Sequence, residues 1–200
     1  MAEESGPSRA VPGGDGVRLV LVRHAKAVRK DPRIDDFDRA LGMRGRREAP
    51  RTGRWLAESG YATDLGLVLC SPSRRTRETW ELAAFELDDP PPADHDPRLY
   101  KTPPAELVSV LRERERGRGL RAVALVGHNP GIHELAAGLC GSGPPDLLEQ
   151  VRDGFPTSGV VVIELPGGWE GLAPGSGRVS ARWSPAAPEG PGRGEEGAER

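Results

Sequence analysis

Two histidines and a few arginines, far apart along the chain, carry the chemistry available to this sequence. Arg23-His24 follows the apolar run Val17 to Val22, Ser71-Pro72-Ser73-Arg74-Arg75 follows Leu65 to Cys70, and Gly127-His128-Asn129-Pro130 follows Ala122 to Val126. Arginines present planar donor forks that match phosphate oxygens. A neutral imidazole can attack phosphorus and hold the phosphoryl group covalently. A second imidazole, once protonated, can stabilise the charge on the equatorial oxygens of the transition state. No pair of carboxylates and no metal-type ligand spacing accompanies them. The set implies phosphoryl transfer without a metal, and no cofactor is expected.

These groups act together only if the chain brings them together. The three apolar runs read as buried strands. Leu41 to Ser59 reads as a helix stopped by Gly60, with Pro50 near its first turn or at a kink. Helical spacing also covers Arg75 to Phe85, Pro103 to Arg114, and the segment after Pro130, where Ile132, Leu135, Ala136 and Leu139 share a face. Gly159 to Leu165 and Arg178 to Trp183 read as two further strands. This alternation predicts an α/β fold, a three-layer α/β/α sandwich with a mostly parallel central sheet. Ligands in such folds gather at the carboxyl ends of the strands, where all three polar groups fall.

The whole chain has 200 residues and a formal net charge of −2, with Gly 27 and Pro 20. Segments 1–16 and 184–200 are rich in Gly, Pro, Glu and Arg and read as disordered tails around one domain over 17–183. Nothing in the charge balance points to nucleic acid. No stretch is apolar enough to span a membrane, and the first residues lack the apolar run of a signal peptide. Cys70 and Cys140 sit in apolar contexts and read as buried reduced thiols of a cytoplasmic protein.

Four motifs occur in a familiar order. Arg23-His24-Ala25 resembles the Arg-His-Gly signature of the histidine phosphatase (phosphoglycerate-mutase-like) superfamily. Ser71 to Thr79 resembles its Ser-Pro-x-x-Arg-Ala-x-x-Thr segment, and Gly127 to Gly131 resembles its second-histidine turn. Arg39-Ala40-Leu41 with Gly45 resembles an element of the small SixA-type branch, the phosphohistidine phosphatases. The resemblance implies a phosphoglycerate-mutase-like fold, His24 as phosphorylated nucleophile, and Arg23, Arg75 and His128 as the rest of the phosphate pocket. It places Arg39 at the pocket mouth and Asn129 beside the substrate. The implied substrate is a phosphorylated protein or a small phosphate ester.

Two departures matter. Ala25 stands where the signature has glycine, which is tolerable if the backbone there avoids positive φ. No acidic residue is recognisable as the proton donor that larger members use, since nothing singles out Asp31, Asp35, Asp36 or Asp38. A phosphorylated imidazole can take a proton on its own ring before leaving, whereas an alkoxide cannot. The absence therefore favours P–N over P–O cleavage. The alternatives are a small-molecule phosphomonoesterase for a sugar or nucleotide phosphate, and a non-catalytic phosphoprotein-binding module; a mutase is disfavoured. His133 reads as a helix-face residue and His95 as a solvated loop residue. Arg44, Arg46, Arg47, Arg51 and Arg54 read as a solvated helix face or an acidic-partner surface. Arg112 to Arg121 reads as surface, and Ser71 lacks the surroundings of a serine nucleophile.

Overall fold

The computed structural model describes residues 16–185, so the tails read over 1–16 and 184–200 lie almost wholly outside the described residues. In chain order the elements are β1 (Val17–Arg23), α1 (Met43–Glu58), β2 (Leu65–Cys70), α2 (Arg74–Ala84), β3 (Ala93–His95), α3 (Pro104–Glu115), β4 (Ala122–Gly127), α4 (Gly131–Leu139), β5 (Cys140–Ser142), α5 (Pro145–Asp153), β6 (Val160–Leu165) and β7 (Gly177–Trp183). One sheet holds the strands in the order β3-β2-β4-β1-β6-β7-β5. The β3/β2, β2/β4, β4/β1 and β5/β7 pairs are parallel, while β6 runs antiparallel to both β1 and β7. The sheet is mostly parallel.

Successive side chains of a strand point to opposite faces, so a strand covered on both sides must be apolar throughout. In β1, Leu19 and Leu21 join a core with Leu107, Val110 and Leu111 of α3, Ile132 and Leu135 of α4, and Val151 of α5. Val20 and Val22 of the same strand face Leu56 of α1 and Trp80 and Ala83 of α2. Helices α1 and α2 thus cover one face and α3, α4 and α5 the other, giving three layers. Pro50 lies inside α1, and the helix continues through it. The missing amide removes one helical hydrogen bond without ending the helix.

Register explains why the polar groups meet. Arg23 of β1 pairs with Gly127 of β4, and Cys70 of β2 pairs with Val126 of β4. The residues that follow, His24, Ser71 and His128, therefore leave the sheet at one level. The His24 amide donates to the Gly127 carbonyl at 3.1 Å, and the Ser71 amide to the Val126 carbonyl at 3.0 Å.

The loop after His24 is pinched at its root. Ala27 and Leu41 form an isolated antiparallel bridge, the Val28 amide donates to Ala40 O at 3.0 Å, and the Gly42 amide to Lys26 O at 2.9 Å. Gly45 allows the approach, because a Cβ there would sit 2.3 Å from the Lys26 carbonyl oxygen. Inside the loop a 3-10 turn, Asp36–Asp38, is capped by the Asp35 side chain.

Three sequence readings are corrected. His95 lies on β3, paired with Cys70, rather than in a loop. Its neighbour Asp96 is 2% exposed and bonded to Arg98 and Arg114, so Arg114 is an anchor more than a free surface charge. Arg112 likewise donates to the Leu172 carbonyl.

Candidate active site

His24 is held from both sides. Its Nδ1 lies 2.8 Å from the Ala25 carbonyl oxygen. A carbonyl only accepts, so Nδ1 carries the proton and Nε2 keeps its lone pair. The Ala25 amide donates to Thr79 Oγ1 at 2.9 Å. The His24 carbonyl accepts from the Ser158 amide at 3.2 Å, and Thr52 Oγ1 donates to Ser158 O at 3.0 Å. Ser158 makes that contact at φ 58°, a left-handed conformation costly for a residue with a Cβ. Ala25 is not among the residues of positive φ, so the methyl in place of the signature glycine causes no backbone strain.

Burial pushes the His24 pKa down to about 4, the charges of Arg75, Arg23 and Arg39 push the same way, and the Ala25 carbonyl opposes them. At neutral pH the ring is unprotonated. The His128 ring lies 5.1 Å from it, centroid to centroid. Burial, then His24 and Arg75, also hold the His128 pKa well below its ordinary value. His128 Nε2 is 2.8 Å from Ser71 Oγ, and its Nδ1 is buried with no protein partner. Ser71 is itself fully buried, so it serves as a ring partner.

Arg75 is the inward arginine of its pair, at 2% exposure, while Arg74 bonds to Glu78 on the surface. Arg75 donates to the Asp36 carbonyl oxygen and, at 3.1 Å, to Asp36 Oδ2. Arg23 Nη1 donates to Phe155 O at 2.5 Å, and Asn129 Nδ2 donates to the same oxygen at 3.1 Å. Asn129 thus braces the Phe155 loop. Arg39 Nη1 donates to Val28 O at 3.3 Å, and its Nε lies 2.9 Å from Asp36 Oδ1 as an ion pair outside hydrogen-bond geometry. The Nε atoms of Arg23, Arg39 and Arg75 are buried without hydrogen-bond partners, as is His128 Nδ1. An unmet buried polar group costs about 1–3 kcal/mol. Donors of this kind are met by an anion with several acceptor oxygens.

Sequence reasoning missed Tyr100 and Lys101 and did not single out Asp36 among the loop aspartates. Asp36 Oδ2 accepts from the Tyr100 hydroxyl at 2.9 Å and pairs with Lys101 Nζ at 2.7 Å, in addition to Arg75. The Lys101 contact first, then Tyr100, Arg75 and Arg39, hold its carboxyl well below the usual range despite partial burial. Tyr100 sets its ring edge-on to His128, with centroids 5.4 Å apart, and the Arg75 guanidinium lies over it at 5.7 Å. The one available signal was the Asp36–Arg39 spacing; Tyr100 carried none. His133 lies on α4 with Nε2 2.9 Å from Val151 O, linking α4 to α5. Among the described residues no group of three or more His, Cys, Asp and Glu could hold a metal ion.

A family model described as the histidine phosphatase superfamily (branch 1) matches residues 19–101, a span that holds His24, Arg39 and Arg75. An uncharacterized protein of Mycobacterium tuberculosis is 38% identical over 156 residues, covering 77% of this chain and 93% of that protein. Among solved structures, SixA from Agrobacterium tumefaciens superposes with a TM-score of 0.68 at 28% identity, covering 84% of this chain and 99% of that one. The protein histidine phosphatase SixA complexed with tungstate superposes with a TM-score of 0.65 at 26% identity, covering 84% of this chain and 97% of that one.

Proposed function

As a member of the histidine phosphatase superfamily, in its SixA-type branch, this chain is a phosphatase, and we propose that it hydrolyses phosphohistidine carried on proteins through a phosphoryl intermediate on His24. In the first step Nε2 of neutral His24 attacks phosphorus in line, and the P–N bond to the substrate imidazole breaks. The bonding pair returns to the substrate ring, which leaves neutral because it already carries a proton on its other nitrogen. His24 becomes a phosphorylated imidazolium whose Nδ1–H still donates to Ala25. In the second step water attacks phosphorus, the pair returns to His24 Nε2, and both water protons remain on the departing dihydrogen phosphate.

Arg23, Arg75 and Arg39 hold the phosphoryl oxygens, and their positive charge matches the charge spread over those oxygens in the transition state. His128 donates through Nδ1. In its neutral form that requires the Ser71 hydroxyl to donate to Nε2; an arriving dianion also favours the doubly protonated ring. SixA bound to tungstate, a tetrahedral oxyanion like phosphate, supports an oxyanion pocket of this kind.

The observation that carries the phosphohistidine reading is the state of Asp36. It is the carboxylate that contacts the pocket arginines, and its four cationic or hydroxyl neighbours keep it ionised. It has no proton to give an alkoxide, which leaves poorly without one. An imidazole needs no such donor. The test is a substrate panel of phosphohistidine peptide, phosphoramidate and alkyl phosphates, with acid-labile phosphate followed on the enzyme. The expected result is preferential turnover of phosphohistidine, a trapped phosphoenzyme, and loss of both in a folded His24→Ala variant. Faster turnover of alkyl phosphates would overturn the substrate class, and turnover surviving His24→Ala would overturn the mechanism.

A further inference from the structure

We infer that Asp36 is a specificity-determining residue that accepts a hydrogen bond from the unphosphorylated ring nitrogen of the leaving imidazole, holding that ring in the protonated form from which the P–N bond breaks. The inference rests on the phosphohistidine reading above and adds a role for a residue outside the phosphate pocket's own motifs.

The carboxylate stands between the phosphate site and the outside. It is carried on the pinched loop beyond His24, with its side chain 23% exposed, while the Arg75 that it contacts is 3% exposed. Ionised, the carboxylate can accept hydrogen bonds but cannot donate one. A group of that kind is useless to an alkoxide and useful to an imidazolium, whose N–H it would meet in a charge-assisted hydrogen bond.

Counting acceptor sites shows how room arises for the substrate. A carboxylate offers about four lone-pair sites. Asp36 Oδ2 faces Arg75 Nη2 at 3.1 Å, the Tyr100 hydroxyl at 2.9 Å and Lys101 Nζ at 2.7 Å, while Oδ1 faces only Arg39 Nε at 2.9 Å. The two arginines are also the groups that a phosphoryl dianion attracts most strongly. As they turn their donors toward phosphate, acceptor sites on Asp36 are released for the ring attached to that phosphate. Lys101 and Tyr100 hold the carboxylate in place meanwhile. Lys101 does so from a left-handed backbone at φ 51°, a conformation that persists in a non-glycine residue only where its surroundings impose it.

The step balances. The substrate ring gains its proton from solvent on the nitrogen that bears no phosphorus, and Asp36 accepts the hydrogen bond from that N–H without taking the proton. His24 Nε2 forms the new N–P bond as the old one breaks, and the ring departs neutral with its proton still in place.

The experiment compares the wild type with Asp36→Asn on a phosphohistidine peptide and on p-nitrophenyl phosphate, whose phenolate leaves without a proton. The expected result is a fall in kcat/KM for the peptide at least ~10-fold greater than the fall for the aryl ester, the factor set by losing a charge-assisted hydrogen bond. The alkaline limb of the peptide pH profile should also move to lower pH, because the bound ring is then protonated less readily. Asp36→Glu should restore part of the peptide rate, and Asp36→Ser serves as a second uncharged variant if the amide disturbs folding. Equal losses on both substrates, or an unmoved alkaline limb, would make Asp36 only a strut for Arg75 and Arg39 and would overturn the inference. A wild type that itself prefers esters would sink the underlying reading instead, and the two failures are separate.

Discussion

Acid should unfold this protein earlier than its carboxylates alone require, because folding buries a neutral imidazole. His24 is 9% exposed, and burial with the nearby guanidinium charges lowers its pKa from 6.5 to about 4. In the unfolded chain the same ring titrates near its ordinary value. Between those two values the unfolded chain binds a proton that the folded chain refuses, so stability falls as pH drops. The loss begins near pH 6.5, accumulates down to about pH 4, and is absent above that window. Going from pH 7 to pH 5 should cost about 2 kcal/mol through His24 alone. His128 is shifted in the same direction by burial and by His24, so the full loss is larger. Asp36 acts in the same direction but lower on the pH scale: its held-down pKa removes stability only as pH falls below the ordinary carboxylate range, beneath this window. Urea denaturation at pH 7, 6 and 5, followed by tryptophan fluorescence, measures the slope. The wild type should lose about 2 kcal/mol more than His24→Asn over that range. Parallel slopes for the two proteins would show that the ring is not buried in its neutral form, and the reading of its lowered pKa would go with it.

Three other changes have defined outcomes. Ser71→Ala removes the partner of His128 Nε2, 2.8 Å away, and should lower kcat by about 10- to 100-fold with a smaller change in KM, measured on an aryl phosphate. Gly53→Ala would place a Cβ 2.0 Å from the Ala83 carbonyl oxygen; pushing α1 off α2 should cost about 1–3 kcal/mol in urea denaturation. Asp96→Asn weakens the buried partner of Arg98 and Arg114 and should cost about 1–3 kcal/mol of stability, while kcat per folded molecule stays at the wild-type value.

The strands that position the pocket were legible because their burial is complete. Leu19 to Val22 and Ala122 to Val126 are each fully buried, and only continuous apolar sequence survives between two helical layers. The elements that escaped notice lack that signal. Strands β3 and β5 have three residues each, too few to show a period. In α5 the stripe Leu147, Leu148 and Val151 packs on the core, but only Val151 is fully covered and the helix has nine residues, so the pattern is short. The direction of β6 and β7 was unreadable for a different reason: a strand's sequence records which faces are covered, not which way its neighbours run. The same logic divides the site. His24 and His128, which leave strand ends, and Arg75, at the start of α2, belong to or adjoin legible elements. Asp36 and Tyr100 meet across 64 positions of sequence, through a 3-10 turn and a loop with no periodicity, and chain folding alone makes them neighbours. Ser71 was visible, and its sequence surroundings argued against a nucleophile, but no sequence signal marks its partnership with the His128 ring.

The narrow root of the loop between Ala27 and Leu41 separates two kinds of change. The bridge and the flanking amide contacts close that root just beyond the strand end that carries His24. Asp36 and Arg39 ride beyond the root, on a segment whose Ile34 and Val28 side chains face solvent. Such a segment behaves as an exchangeable cassette: residues can be inserted, deleted or swapped within it while its two anchor points stay fixed. A designer seeking a new specificity would begin with the positions of this insert other than Asp36 and Arg39, the two that reach the phosphate pocket.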